Sequence, residues 1–239
     1  MEINTEAIVR LAWSRQLGLH DDALARDREP QHGRTIRVEA SDQIMVVRLW
    51  DDTVVLGPGW MQDRAGSADP DTLSDAHVLL RLCDGHSVRL IREATLGYTD
   101  RYVQIDGLSE VPVADDPESV ARLERSCPPD DVAEVGLAAM SRVFVTLDDR
   151  DQPTAGAGYD EWAHLLGHVG VLTLPELRRS GWGTRAAALA ANDALDAGLV
   201  AQWRARVGDV APRRAARGLG FAEIGSQTSI ALSPGAGAA

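Results

Sequence analysis

The sequence contains no lysine; all 24 of its basic residues are arginine. That removes the Gly-Lys-Ser/Thr phosphate loop, whose lysine reaches the terminal phosphates of a nucleotide. Cysteine is nearly as scarce. Cys83 and Cys127 are the only two, too few for a disulfide framework and without the spacing of a metal site, so both read as free thiols. No uncharged apolar run approaches the roughly 18–20 residues that span a bilayer. The N-terminus, MEINTEAIVRLAW, carries acids where a secretory signal carries bases. A soluble, cytoplasmic protein is expected. Net positive charge is missing too: the formal charge is −12 and the isoelectric point about 4.9. A chain that displaces counterions from nucleic acid needs a basic footprint, so no nucleic-acid partner and no membrane partner are expected.

What is present is an ordinary globular composition. The 239 residues are 44% apolar and 25% charged, which excludes disorder, collagen and low complexity and fits one large domain or two small ones. No repeat of solenoid period appears. The charge is unevenly spread. Residues 1–100 hold 11 Arg and 17 acids, residues 101–177 hold 5 and 15, and residues 178–239 hold 8 and 4, for nets of −6, −10 and +4. A basic final quarter beside an acidic stretch points to an anionic ligand in one region and a cationic one in the other, unless these are simply solvated faces.

Apolar spacing predicts a helix over 4–17, opened by Asn4 or Thr5, then strands over 34–40, 44–50 and 53–56 stopped by Gly57-Pro58-Gly59. A helix over 71–83 and a short segment over 87–91 follow. Beyond residue 100 the pattern predicts a strand over 102–113, helices over 117–125 and 130–140, and strands over 143–147, 155–162 and 166–174. An alanine-rich helix over 182–197, a strand over 199–207, a helix over 210–219 and a strand or hairpin over 221–232 complete it. The tail SPGAGAA reads as disordered.

One stretch carries chemistry. Val169-Gly170-Val171-Leu172-Thr173-Leu174-Pro175-Glu176-Leu177-Arg178-Arg179-Ser180-Gly181-Trp182-Gly183-Thr184 runs strand, glycine loop, helix. Glycines let the backbone approach a phosphate, and the following helix N-terminus offers unpaired N–H groups with a partial positive charge. Arg178, Arg179 and Arg185 add charge-assisted donors suited to pyrophosphate. The glycine spacing is not GxGxxG, and no acid closes a following strand as a dinucleotide fold requires. An ordinary strand-to-helix turn remains the plainer alternative.

Arg178-x-x-Gly181-x-Gly183 after Leu-Thr-Leu-Pro resembles the acetyl-CoA signature of the GNAT N-acetyltransferase superfamily. The resemblance covers about 102–232 and includes the junction Gly220-Phe221. It implies an α/β architecture, an α+β mixed sheet: a GNAT acetyltransferase domain over 99–239, preceded by a small α+β region over 1–98 that resembles either a degenerate half of that fold or an added domain. It implies that the backbone of Val171, Leu172 and Thr173 pairs with pantetheine amides. The amides of Arg179, Ser180, Gly181, Trp182, Gly183 and Thr184 would wrap the pyrophosphate, with Arg178 adding side-chain charge. The expected activity is transfer of an acetyl group from acetyl-CoA to a primary amine on a small molecule or peptide, with no metal. The acids on the acceptor side favour a cationic amine, and a homodimer is compatible with the resemblance.

Two departures stand out. Asp209 occupies a position where the family often has Asn, and Ala216 one where it often has the tyrosine that protonates the leaving thiolate. A catalytically inactive CoA-binding or regulatory module is therefore the alternative. Direct transfer needs a base, or a water relay to one, that takes the amine's proton. The candidates are His168, in a His-x-Gly-Val-Leu-Thr run that resembles one group of these enzymes, and Glu161, which could instead contact a cationic substrate. His164 reads as a turn residue. With His168 it has helical metal spacing, but the segment is a hairpin and lacks a third ligand. Trp162, Trp182 and Trp203 read as core. Arg213, Arg214 and Arg217 sit on the last helix, where one or two could reach a CoA phosphate.

Overall fold

The computed structural model describes residues 3–26, 33–40 and 42–233. Its centre is one mixed sheet of ten strands among the described residues, in the order β1-β3-β2-β10-β4-β9-β8-β7-β6-β5. In chain order these are β1 (Thr35–Glu39), β2 (Gln43–Leu49), β3 (Asp52–Gly57), β4 (Val88–Thr99), β5 (Val113–Ala114), β6 (Arg142–Leu147), β7 (Pro153–Trp162), β8 (Leu166–Thr173), β9 (Val200–Arg206) and β10 (Ala222–Leu232). The helices are α1 (Ile3–Gln16), α2 (Gly59–Ala65), α3 (Ala76–Leu82), α4 (Pro117–Arg125), α5 (Pro129–Val135), α6 (Trp182–Asp196) and α7 (Val210–Gly218).

The strand order interleaves the ends of the chain. β4 comes from the N-terminal stretch yet lies between β9 and β10, antiparallel to both. β10, the last strand, lies between β4 and β2. The sheet is therefore continuous across residues 98 and 99. Strand alternation sends side chains to opposite faces, and helices cover both. On the front face α1 buries Val9, Ala12 and Trp13 against Val47, Leu49, Leu96 and Tyr98. Farther along that face α4 and the turn after α5 cover Val145 and Leu172 with Val120, Leu123 and Leu137. On the back face α2 and α3 cover Ile44, Val46, Val55 and Ile230, while α6 and α7 cover β7, β8 and β9.

The alanines of α6 have a packing reason. Ala186, Ala187, Ala188, Ala190, Ala191 and Ala194 are buried, which lets the helix backbone settle close to the sheet. A Cβ at Gly167 of β8 would come within 2.8 Å of the Ala194 Cβ. Close packing of this kind leaves no room for larger side chains on either surface.

Elements with strong periodicity occur where the pattern puts them; several expectations need correction. Residues 102–113 form no long strand. Gly107 turns at φ 70, a 3₁₀ turn occupies Leu108–Glu110, and only Val113–Ala114 pair with β6. The loop's backbone is held by a side chain instead: Val103 N donates to Asn192 Oδ1 at 2.8 Å, and Asn192 Nδ2 donates back to Val103 O at 3.0 Å. The short segment expected at 87–91 is the start of the twelve-residue β4. Its first half is exposed because β9 pairs only with Ala94–Thr99. The helix over 71–83 shrinks to α3, capped by Asp75, whose side chain accepts from His77 N and Val78 N, while α2 follows Gly57-Pro58 where only a stop was read. The helix over 130–140 ends at Gly136, φ 65, and continues as a 3₁₀ turn. Thr5 lies within α1 and donates from Oγ1 to Asp100 at 2.6 Å rather than capping the helix. The tail beyond Ser233 lies outside the described residues.

Candidate functional site

β8 and β9 pair in parallel from Leu166↔Val200 to Val169↔Trp203, and there the ladder ends. β8 continues to Thr173 against β7, and β9 to Arg206 against β4, but the two strands no longer bond to each other. Beyond Val169 the β9-facing backbone edge of β8 has no strand partner, so its N–H and C=O groups are left for another ligand. The side chains there are fully engaged. Val171 packs under α6, Leu172 is buried with α4 and α5, and Thr173 abuts Gly183.

At the open end of this fork the chain makes a 3₁₀ turn, Pro175–Leu177, and enters α6 through an unusual loop. Arg179 adopts φ 66, rare for a residue with a Cβ, and Gly181 adopts φ 93. Left-handed backbone at a non-glycine residue costs roughly 1 kcal/mol or more and tends to be retained at functional loops. Gly183 is required by contact rather than by φ: a Cβ there would lie 2.4 Å from Thr173 Oγ1. The first amides of α6 thus lie against the end of β8, and Gly181 supplies no side chain to cap them. The residues expected to hold a pyrophosphate, Arg179 through Thr184, form this loop and first turn. Arg178 is less free than expected, since its NH2 donates to Asp131 Oδ2 of α5 at 2.5 Å.

The candidate bases separate. His168 stands on the front face at the last paired rung but one, cross-strand from Asp160 on β7 and Gln202 on β9. Its ring is 5.3 Å from that of Trp162, and Nδ1 is buried without a hydrogen-bond partner. Burial first, and then repulsion from the guanidiniums of Arg204 and Arg92, pull its pKa down to about 3. Glu161 faces the other way. It pairs with Gly167, which looks onto α6, so its exposed carboxylate lies behind the sheet, 3.3 Å from His164 Nδ1. The structure does not bring Glu161 to the fork. His164 is a turn residue at φ 57, and no group of three or more His, Cys, Asp or Glu positioned for a metal exists among the described residues.

Sequence reasoning missed a second set of polar residues on the front face. Arg204 lies just beyond the last β8–β9 rung. Its guanidinium carbon sits 4.4 Å from the Trp162 ring centroid, and NH1 donates to Gln227 Oε1 at 3.0 Å, while Nε is buried and unpartnered. Burial and the nearby Arg92 draw its pKa down to about 10. Beneath it, Gln202 Nε2 donates to Tyr98 OH at 2.7 Å, and that hydroxyl also accepts from Trp13 Nε1 at 2.7 Å. The polar residues Gln202 and Arg204 within a central strand were a signal that could have been read.

The acids of 101–177 that suggested a cationic ligand lie mainly on α4, α5 and the 148–151 turn. Asp131 and Glu134 pair with Arg178 and Arg206. Asp160 alone of them stands beside His168, with Oδ1 accepting from Ser141 N and Oγ. Of the three tryptophans read as core, Trp203 is buried and meets Phe221 at 5.6 Å, whereas Trp162 and Trp182 are half-exposed. Arg213 pairs with Glu223 of β10.

No family model and no curated protein matches the sequence. Solved structures do. A protein described as a GNAT-family acetyltransferase from Novosphingobium aromaticivorans is 21% identical, with a TM-score of 0.46 over 62% of this chain and 68% of that one. A GCN5-related N-acetyltransferase from Kribbella flavida is 20% identical, with a TM-score of 0.45 over 78% and 69%. A Drosophila protein is 16% identical with a TM-score of 0.51, matched over 68% of this chain and 58% of its own length. At these identities the likeness concerns the fold alone, and the chemistry has to come from the fork itself. Among the described residues no helix is long and apolar enough to cross a membrane.

Proposed function

We propose that the protein is an acetyl-CoA-dependent N-acetyltransferase that passes an acetyl group directly to a primary amine. The observation that carries this reading is the fork, a strand edge without a partner strand that ends on a glycine-bound helix N-terminus. The edge at Val171, Leu172 and Thr173 suits the amides of a pantetheine arm, and the loop from Arg179 to Thr184 suits a pyrophosphate. Arg178 would add charge by exchanging Asp131 for phosphate. Acetyl-CoA supplies a thioester at whose acyl carbon the amine forms a C–N bond as the C–S bond breaks and the thiol leaves.

The residues of the chain have narrower tasks. Around the fork the back face is filled by α6 and α7, so the amine approaches from the front, over Asp160, His168 and Gln202. Asp160 offers a carboxylate to an incoming ammonium. His168 is neutral throughout the working range and can accept a proton, but so weak a base passes it onward through water. No phenol assists the leaving thiol: Ala216 is a buried residue of α7, and the three tyrosines are engaged elsewhere. Tyr98 is held by Trp13 and Gln202, Tyr102 by Asp196, and Tyr159 by Asp193. An ordinary thiol ionises near pH 8.5, so departure as thiolate close to neutrality is a modest demand. We read the protein as cytoplasmic, acting on a small-molecule or peptide amine without metal, nucleic acid or membrane.

The missing phenol and the weak base favour one alternative, a CoA-binding module without turnover. Thiol release from acetyl-CoA across a panel of amines, with calorimetry of CoA binding alongside, decides between them. Turnover with any amine supports the transferase; CoA binding without turnover supports the module; absence of both overturns the cofactor assignment.

A further inference from the structure

Arg204 is unusual among the arginines of this chain. Arg10, Arg34, Arg142, Arg178, Arg206 and Arg213 each meet a carboxylate. Arg204 is more enclosed than most of them, and no carboxylate among the described residues pairs with it. Its contacts are a neutral amide, Gln227 Oε1, and the face of Trp162. Arg92 adds a second positive charge close enough to perturb both Arg204 and His168. A guanidinium held on a half-buried floor without a carboxylate, with three buried polar atoms unpartnered there (Arg204 Nε, Gln202 Oε1 and His168 Nδ1), is a costly arrangement for an empty surface. An anion placed on this floor relieves part of that cost, because it pairs the Arg204 guanidinium and accepts from it; Gln202 Oε1 is itself an acceptor and needs a donor instead.

The neighbouring strand carries the opposite sign. Asp160, His168 and Gln202 form one row across β7, β8 and β9, and two strand spacings separate the ends of that row by about 10 Å. One end is acidic, the other leads to Arg204, and the imidazole lies between them at the mouth of the fork. We propose that the acceptor is a small zwitterion, an amine that also carries a carboxylate or phosphate group, with its anion held by Arg204 and its amino group directed to Asp160 and His168. This rests on the acetyltransferase reading and narrows its substrate class. It also gives His168 a role in step with substrate. An anion on Arg204 cancels part of the repulsion that keeps the imidazole acidic, so binding raises its basicity when a base is needed.

The test uses the full chain and four amines of matched length: β-alanine, β-alaninamide, 1,3-diaminopropane and 2-aminoethyl phosphate. Thiol release should give a kcat/KM at least about tenfold higher for one or both anionic amines than for the amide or the diamine, and the better of the two identifies carboxylate or phosphate. Arg204→Gln should remove that preference with acetyl-CoA affinity within twofold of wild type, and Arg204→Lys should restore part of it. Equal or better use of the amide or diamine by the wild-type chain overturns the proposal without touching the transferase reading, as does a preference that survives Arg204→Gln. If no amine releases thiol, the transferase reading fails, and binding decides the anion site separately. Calorimetry with N-acetyl-β-alanine and its amide, and the His168 imidazole titration by NMR, should show acid-specific binding and an upward pKa shift that vanish in Arg204→Gln; no binding of the acid, or no shift, overturns the proposal.

Discussion

Tyr98→Phe is a one-atom test of how the front face is held together. The hydroxyl is fully buried, and it accepts 2.7 Å hydrogen bonds from Trp13 Nε1 on α1 and from Gln202 Nε2 on β9. Burial pushes its pKa up to about 12, so it stays a neutral phenol in any working buffer. Removing the oxygen strands two buried donors, each at a cost of about 1–3 kcal/mol, while the ring keeps its packing. Allowing about 1 kcal/mol for the hydroxyl no longer buried, a net loss of about 1–5 kcal/mol is expected. For a chain of this size each kcal/mol lowers the melting temperature by roughly 2–4 °C, so a fall of about 2–20 °C should appear in calorimetry. Tyr102→Phe is the control, since that residue is 56% exposed, and surface changes of this kind stay within about 0.5 kcal/mol. If Tyr98→Phe melts within a degree of wild type with an unchanged denaturant slope, the hydroxyl does not join α1, β4 and β9 as described.

Three further outcomes follow from the geometry. Gly183→Val should weaken acetyl-CoA binding by at least about tenfold in calorimetry while the far-ultraviolet spectrum stays native, because its Cβ collides with Thr173 Oγ1 and pushes the start of α6 off β8; unchanged affinity in the folded variant would place the pyrophosphate elsewhere. Burial would raise the Asp52 carboxyl, but hydrogen bonds from the Arg34 side chain and backbone and from Arg10 together hold it below its usual value. A depressed carboxylate stabilises fully above its unfolded pKa near 3.9 and loses that contribution as pH falls through the folded value, so Asp52→Asn should flatten the acid limb of stability below about pH 4 and destabilise at pH 7, where Arg10 keeps its pair with Glu6 but loses the shorter one to Asp52. His168 is neutral when folded down to about pH 3 but protonates near 6.5 when unfolded, so its contribution is complete above pH 6.5 and is lost as pH falls toward 3; His168→Gln should reduce that slope in urea titrations and lower turnover without changing acetyl-CoA affinity, and an unaltered turnover would exclude it from proton transfer.

Local chemistry in the sequence was enough for the elements beyond residue 140. The alanine run from Ala186 to Ala194 reads as a helix and Pro117 marks where α4 begins, whereas Gly136, where α5 stops, lies inside the helix expected to run to 140, and the contact of Gly183 with Thr173 shows only in the folded chain. The first two are properties of neighbours in the chain, set by backbone sterics and side-chain bulk. Strand β4 was not legible in the same way, because its first half alternates poorly. That half is a strand only through pairing with β10, more than a hundred residues away. The loop over 102–113 erred in the opposite direction: its apolar residues suit a strand, but Asn192 of a distant helix takes its backbone bonds. The same division holds for the site. Glu161 and His168 are equally good bases on paper, and only the register of β7 against β8 puts them on opposite faces of the sheet. Arg204 looked like one charge in a basic quarter of the chain; its burial beside Trp162, without an acid to pair with, exists only once β7, β9 and β10 lie in one sheet, since a charge acquires its energetic meaning from what surrounds it in space.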